Sequence, residues 1–158
     1  MYLSENKWGY CLIDFIGITE EEMLENALYR PITGSLILLA LNEKYLIAYN
    51  KWRNQWELPA GGIEPGENPR ECVERELFDE TNQKAENIVF KGLFKLHDKR
   101  KDIIKYQAMY CGNVDKLQVF NENEEMDKIM FWDLETDIGD FDEVDRKMIE
   151  LCLGDKTL

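Results

Sequence analysis

The chain carries a single histidine, so chemistry built on several imidazoles is excluded. Its four cysteines, Cys11, Cys72, Cys111 and Cys152, are widely spaced and form no Cys-x-x-Cys pair. That removes a zinc ribbon or a dithiol redox motif and fits reduced thiols in a cytoplasm. Basic charge is scarce: 19 Lys and Arg face 32 Asp and Glu, a net charge of −13. Non-specific binding to DNA, RNA or an anionic membrane rests on neutralising phosphates with cations, so nucleic acid and membrane are unexpected partners, while small phosphorylated ligands stay open if bound cations screen the acids. Long apolar runs are also missing. The longest, Leu36 to Leu41, falls far short of the ~20 residues that span a bilayer, and the first thirty residues show no targeting pattern. The expectation is a soluble cytoplasmic protein whose 158 residues, 44% hydrophobic, form one domain.

What the chain does have is an order of elements. A strand is expected around Tyr10 to Ile16, then a short helix over Thr19 to Arg30 opened by a Thr19–Glu22 capping box. These make an N-terminal addition (1–30) to a core of about 31–153. Ser35–Leu41 and Tyr45–Tyr49 read as a hairpin turning at Asn42-Glu43. Further strands are expected at Ile88–Leu96, Ile103–Cys111 and Ile129–Trp132. A last helix, Phe141–Leu153, takes Asp140 as its cap and buries Val144, Met148, Ile149 and Cys152. Strands and helices in this order predict an α/β fold with helices covering both faces of a mixed sheet.

The central helix is the unusual one. Asn68 caps it, Pro69 suits its first position, Glu71 completes a capping box, and Asn82 suits its left-handed end. Val73 and Leu77 form its apolar face. Opposite them Arg75, Glu76, Asp79 and Glu80 fall within an arc of roughly 140°. Three acids at this spacing repel one another, and the helix dipole disfavours them in its second half. A hard divalent cation, Mg²⁺ or Mn²⁺, reverses the sign of that cost.

Written as spacing, Gly61, Glu67 and Arg75-Glu76-Leu77-Phe78-Asp79-Glu80-Thr81-Asn82-Gln83 resemble the box of the Nudix hydrolases, G-x5-E-x7-R-E-U-x-E-E-x-G-U, with U apolar. Trp56-Glu57-Leu58-Pro59-Ala60 looks like the strand that leads into that box. Asp79 stands for a Glu and shortens its reach by one methylene. Asn82 stands for the Gly, and Gln83 places a polar side chain, expected to be partly exposed, at an apolar position.

The resemblance implies a Nudix-type α/β/α sandwich and hydrolysis of a nucleoside diphosphate linked to another group. Carried over by position, Glu76, Asp79, Glu80 and the Gly61 carbonyl would hold metal, and Arg75 would orient Glu67. The family often brings a further Glu from a later loop to the metal-bound water. Glu125 is first choice as this base, with Glu124 and Glu122 as alternates. Arg53, just upstream of the box, is a candidate for substrate contact; Trp52 and Trp132 are read as packing, and His97 is left outside the site. The substrate is a small nucleotide, with a MutT-like nucleoside triphosphate pyrophosphohydrolase ranked first. ADP-ribose or nucleotide-sugar cleavage and a non-catalytic nucleotide sensor are the alternatives. Homodimers are common in the family, though no residue here identifies an interface.

Overall fold

The computed structural model describes residues 1–154. In chain order the elements are β1 (Ser4–Glu5), β2 (Tyr10–Ile16), α1 (Glu20–Glu25), β3 (Ile32–Leu41), β4 (Lys44–Asn50), β5 (Gln55–Glu57), β6 (Ala60–Gly62), α2 (Pro69–Thr81), β7 (Glu86–Asp98), β8 (Ile103–Asn113), β9 (Met126–Trp132) and α3 (Glu143–Leu153). The strands pair in the order β1-β2-β7-β8-β3-β4-β5, with β6 on β3 and β9 on β4. β3 and β8 run parallel and the other described pairs antiparallel, so the sheet is mixed as expected.

β3 shows why both faces are covered. Its side chains alternate between faces. Leu36 and Leu38 join the core that includes Val144, Met148 and Ile149 of α3, while Ile37 and Leu39 join that of Val73 and Leu77 of α2. The result is an α/β/α sandwich with α2 and α3 on opposite faces. Among the described residues no helix is long and apolar enough to cross a membrane.

Two helices differ from expectation. α1 keeps its Thr19–Glu22 capping box but stops at Glu25 instead of reaching Arg30. Arg30 replaces the missing turns: its guanidinium donates to the carbonyls of Met23 (3.0 Å), Leu24 (2.6 Å) and Asn26 (3.2 Å), which satisfies the helix end. In α3 the cap is Asp142, not Asp140. Trp56 N donates to Asp140 O and Asp142 N to Trp56 O, so this segment is held extended against β5 and the helix starts two residues later. The Asn42-Glu43 turn forms as expected, with both residues at positive φ, the geometry of a tight hairpin.

Candidate active site

The box is built from α2 and the turn before it. Asn68 accepts from Glu71 N at 2.8 Å while Glu71 accepts from Asn68 N at 3.0 Å, and Asn82 ends the helix at φ 60°. Burial of Val73 and Leu77 against the sheet turns the opposite face toward β6. Arg75 then ties three segments together. It donates to both oxygens of Glu67 (2.7 and 2.9 Å), to Glu76 (2.6 Å) and to the carbonyl of Gly62 (2.9 Å). The guanidinium holds the Glu67 carboxyl down at about 2. Glu76, more deeply set, has its pKa raised by burial despite Arg75.

The absence of a side chain at Gly61 lets the Glu76 carboxyl group sit where a Cβ would otherwise be, so any larger residue would push that carboxyl aside. A Cβ on Gly34 would meet the Gly61 carbonyl oxygen at 2.6 Å, so the turn is pressed tightly onto β3. The buried Cys72 thiol touches the same carbonyl at 3.5 Å, and burial pushes its pKa up to about 11.

A second group of acids gathers beside this turn in a cleft of about 450 Å³. Glu80 is 5% exposed and accepts a hydrogen bond from Ala60 N at 2.9 Å. Burial raises its pKa well above the ordinary value, and the charges of Glu125, Glu76 and Glu57 add to the shift. Glu125 is half-buried against Glu80, and burial raises its pKa too. Asn50 Nδ2 bridges the two sides, donating to Glu57 (3.1 Å) and Glu125 (3.2 Å). Glu57 is also held by Arg53 (2.6 and 3.1 Å) and Gln55 (2.7 Å). Asp145, at the cleft wall, accepts from Leu58 N at 2.9 Å and is raised by burial and by Asp142.

Gly61, Glu80, Glu125 and Arg53 line one cleft, and Glu67, Arg75 and Glu76 are tied to the Gly61–Gly62 turn beside it. Asp79 stands apart: its side chain is 59% exposed, 3.7 Å from Arg75. Of the alternates for Glu125, Glu122 pairs with Lys51 at 2.7 Å and Glu124 is exposed. Arg53 lines the cleft, but two of its nitrogens are committed to Glu57. Trp132 is buried as expected, whereas Trp52 is 64% exposed and packs into no core. It sits in the turn between β4 and β5, whose backbone is held by Asn50. His97 is engaged at the surface by Tyr2 and Asp102.

Gln83 is fully buried, contrary to the expected partial exposure. Its side-chain amide pairs with both backbone groups of Gln118 (2.8 and 3.0 Å), and Asn82 Nδ2 donates to Val119 O at 2.5 Å. Asn123 donates to the Glu80 carbonyl at 3.0 Å and accepts from Glu125 N at 3.0 Å. The polar departures from the box therefore pin the loop that carries Glu125. Glu57 and Asn50 were not singled out from the sequence; a charged residue inside the apolar Trp56-Glu57-Leu58 run was the available signal.

The residues suit a hard dication by charge and donor type. Glu57, Glu76, Glu80 and Glu125 converge with Arg53 and Arg75 as their nearby cations, and like-charged buried carboxylates need a proton or a metal between them. Among the described residues no three acids already stand at coordination spacing, since Glu76 is held by Arg75 and Asp79 faces solvent.

The NUDIX domain family model matches residues 29–152. The chain is 35% identical over 66 residues to an RNA pyrophosphohydrolase of Psychromonas ingrahamii, covering 42% of this chain and 36% of that protein. It is 40% identical over 65 residues to an RNA pyrophosphohydrolase of Cereibacter sphaeroides, covering 39% of each. The matches thus span well under half of those relatives. A mutant of the Bacillus subtilis pyrophosphohydrolase BsRppH superposes with a TM-score of 0.74 at 15% identity, over 97% of this chain and 94% of that one. A MutT NUDIX hydrolase from Burkholderia pseudomallei gives 0.66 at 16%, over 77% and 97%. With the box, the sandwich and the match over most of its length in agreement, the chain belongs to the Nudix hydrolase family.

Proposed function

We propose that this protein is a divalent-metal-dependent pyrophosphohydrolase acting on a 5′-triphosphate. The observation that carries the reading is the convergence of Glu57, Glu76, Glu80 and Glu125 on the Gly61 turn, an arrangement that costs stability unless a cation or a phosphate-bound metal is brought in. Glu76, Glu80 and the Gly61 carbonyl would hold Mg²⁺ or Mn²⁺, with Asp79 reaching it from the rim through water. Bound metal supplies neutralisation of phosphate oxygens and a lowered pKa for water.

The chain's own residues do the rest. Glu125, its basicity raised by burial, accepts the proton of the attacking water as the new O–P bond forms and the anhydride P–O bond breaks. Arg75 keeps Glu67 and Glu76 in place, and Arg53 with Asn50 fixes Glu57 behind the reacting centre.

From the sequence a mononucleotide substrate ranks first. The curated relatives named RNA pyrophosphohydrolase favour the 5′ end of RNA as the site's natural triphosphate. Chromatography of products from a nucleoside triphosphate, ADP-ribose and a 5′-triphosphorylated RNA, each with Mg²⁺, tests this. Release of phosphate or pyrophosphate from a triphosphate is expected; cleavage of ADP-ribose alone would refute it.

A further inference from the structure

Besides the acids, the cleft is lined by Trp8, Tyr10, Arg100, Lys105 and Gln107. Trp8 and Tyr10 precede residue 29, where the family match begins, so the N-terminal addition supplies part of this lining. It is firmly built. Asn6 Oδ1 accepts from the backbone of Trp8 and of Tyr10 (both 3.1 Å), and Asn6 Nδ2 donates to the α3 cap, Asp142, at 3.0 Å. Trp8 Nε1 donates to Gln55 at 3.2 Å, and Gln55 in turn holds Glu57.

Tyr10 carries two cations. Arg100 lies 4.7 Å and Lys105 4.3 Å from its ring centroid, and Arg100 donates to the Tyr10 hydroxyl at 2.5 Å. Arg100 is neutralised by buried Asp98, at 3.3 Å. Lys105 lies within the field of the same Asp98 but makes no close ion pair of its own among the described residues. In a chain with 32 acids, an unpaired lysine held on a ring inside a cleft is a built positive charge.

Position gives its partner. Gly62 pairs with Gly34, Gly34 pairs with Gln107, and Lys105 lies two residues from Gln107 on the same face of β8. Two strand spacings across and two residues along put the Lys105 backbone roughly 12 Å from the metal-binding turn. That is the reach of a nucleoside, not of a single phosphate.

We propose that Lys105, held by Tyr10, binds the 3′-phosphate that follows the first nucleoside, making this a subsite for 5′-triphosphorylated RNA over free nucleotides. The inference rests on the proposed triphosphate-hydrolysing role of the acids. One cation reads one phosphate, so it is compatible with a net charge that opposes binding along a long polyanion.

Calorimetric binding, with Mg²⁺, of a nucleoside 3′,5′-bisphosphate and of the matching 5′-monophosphate tests the subsite without catalysis. The wild type should bind the bisphosphate roughly tenfold tighter, the worth of one charge-assisted contact. Lys105→Gln should erase that preference, Lys105→Arg should keep it, and Lys101→Gln, which removes the same charge from an exposed turn, should leave it intact. Equal binding of the two ligands by wild type, absence of binding, or an equal loss for both in Lys105→Gln would overturn the proposal. Turnover of triphosphates without the bisphosphate preference would leave the proposed function standing and reject the subsite, whereas absence of turnover of any triphosphate would reject the proposed function and, with it, the subsite.

Discussion

Replacing Glu80 by Gln should stabilise the metal-free protein while removing its activity. The side chain is 5% exposed, keeps one hydrogen bond from Ala60 N, and faces Glu125, Glu76 and Glu57. Gln preserves the acceptor for Ala60 and removes the charge. Two carboxylates about 5 Å apart at an effective dielectric of ~20 repel by roughly 3 kcal/mol. Partial protonation and relaxation reduce the recoverable part to about 2 kcal/mol, or a rise in Tm of about 4–8 °C for a chain of this size. The gain must depend on pH. An acid with a raised folded pKa binds its proton more tightly when folded, so its contribution is full below the unfolded value of 4.5 and is lost as pH climbs through the raised value. Calorimetry in chelator should therefore show Glu80→Gln clearly more stable than wild type at pH 8 and nearly equal to it at pH 4.5. Added Mg²⁺ should raise the Tm of wild type and not that of the variant. A variant less stable than wild type in chelator at pH 8 would refute the clustered-charge argument.

Other substitutions probe separate parts of the site. Gly61→Ala forces the flexible Glu76 carboxyl aside, so turnover should fall at least about tenfold while the Tm of the chelated protein moves by only a few degrees. Arg75→Lys cannot span Glu67, Glu76 and Gly62 together; a roughly 10–100-fold loss of activity is expected, with weaker metal dependence in a Mn²⁺ titration. Gln83→Leu restores the apolar character of the family box but leaves the backbone of Gln118 unpaired. It should cost about 1–3 kcal/mol in urea unfolding and slow turnover by freeing the Glu125 loop. An unchanged midpoint and rate would mean that Gln83 holds nothing.

The helix that carries the box was legible because its signals are local. Asn68, Pro69, Glu71 and Asn82 mark both ends, and the 3.6-residue period separates Val73 and Leu77 from the acids. The apolar run Leu36–Leu41 likewise announced a strand, and the structure covers it on both faces. What escaped depends on contacts distant in sequence. Arg30 ends α1 early by folding back on its carbonyls, and the pairing of Trp56 with Asp140 and Asp142 moves the cap of α3. Gln83 looked out of place because its partner, Gln118, is 35 residues away. Glu57 became visible only once β5 placed it beside Asn50 and Arg53.

The most direct test of the account is pyrophosphate and phosphate release from a 5′-triphosphorylated dinucleotide, followed across a Mg²⁺ titration for wild type and Glu80→Gln. Metal-dependent release by wild type, reduced at least about 100-fold in Glu80→Gln at every Mg²⁺ concentration, is the predicted result. Release that persists in chelator, or that Glu80→Gln leaves unchanged, would contradict a mechanism built on the acids around Gly61.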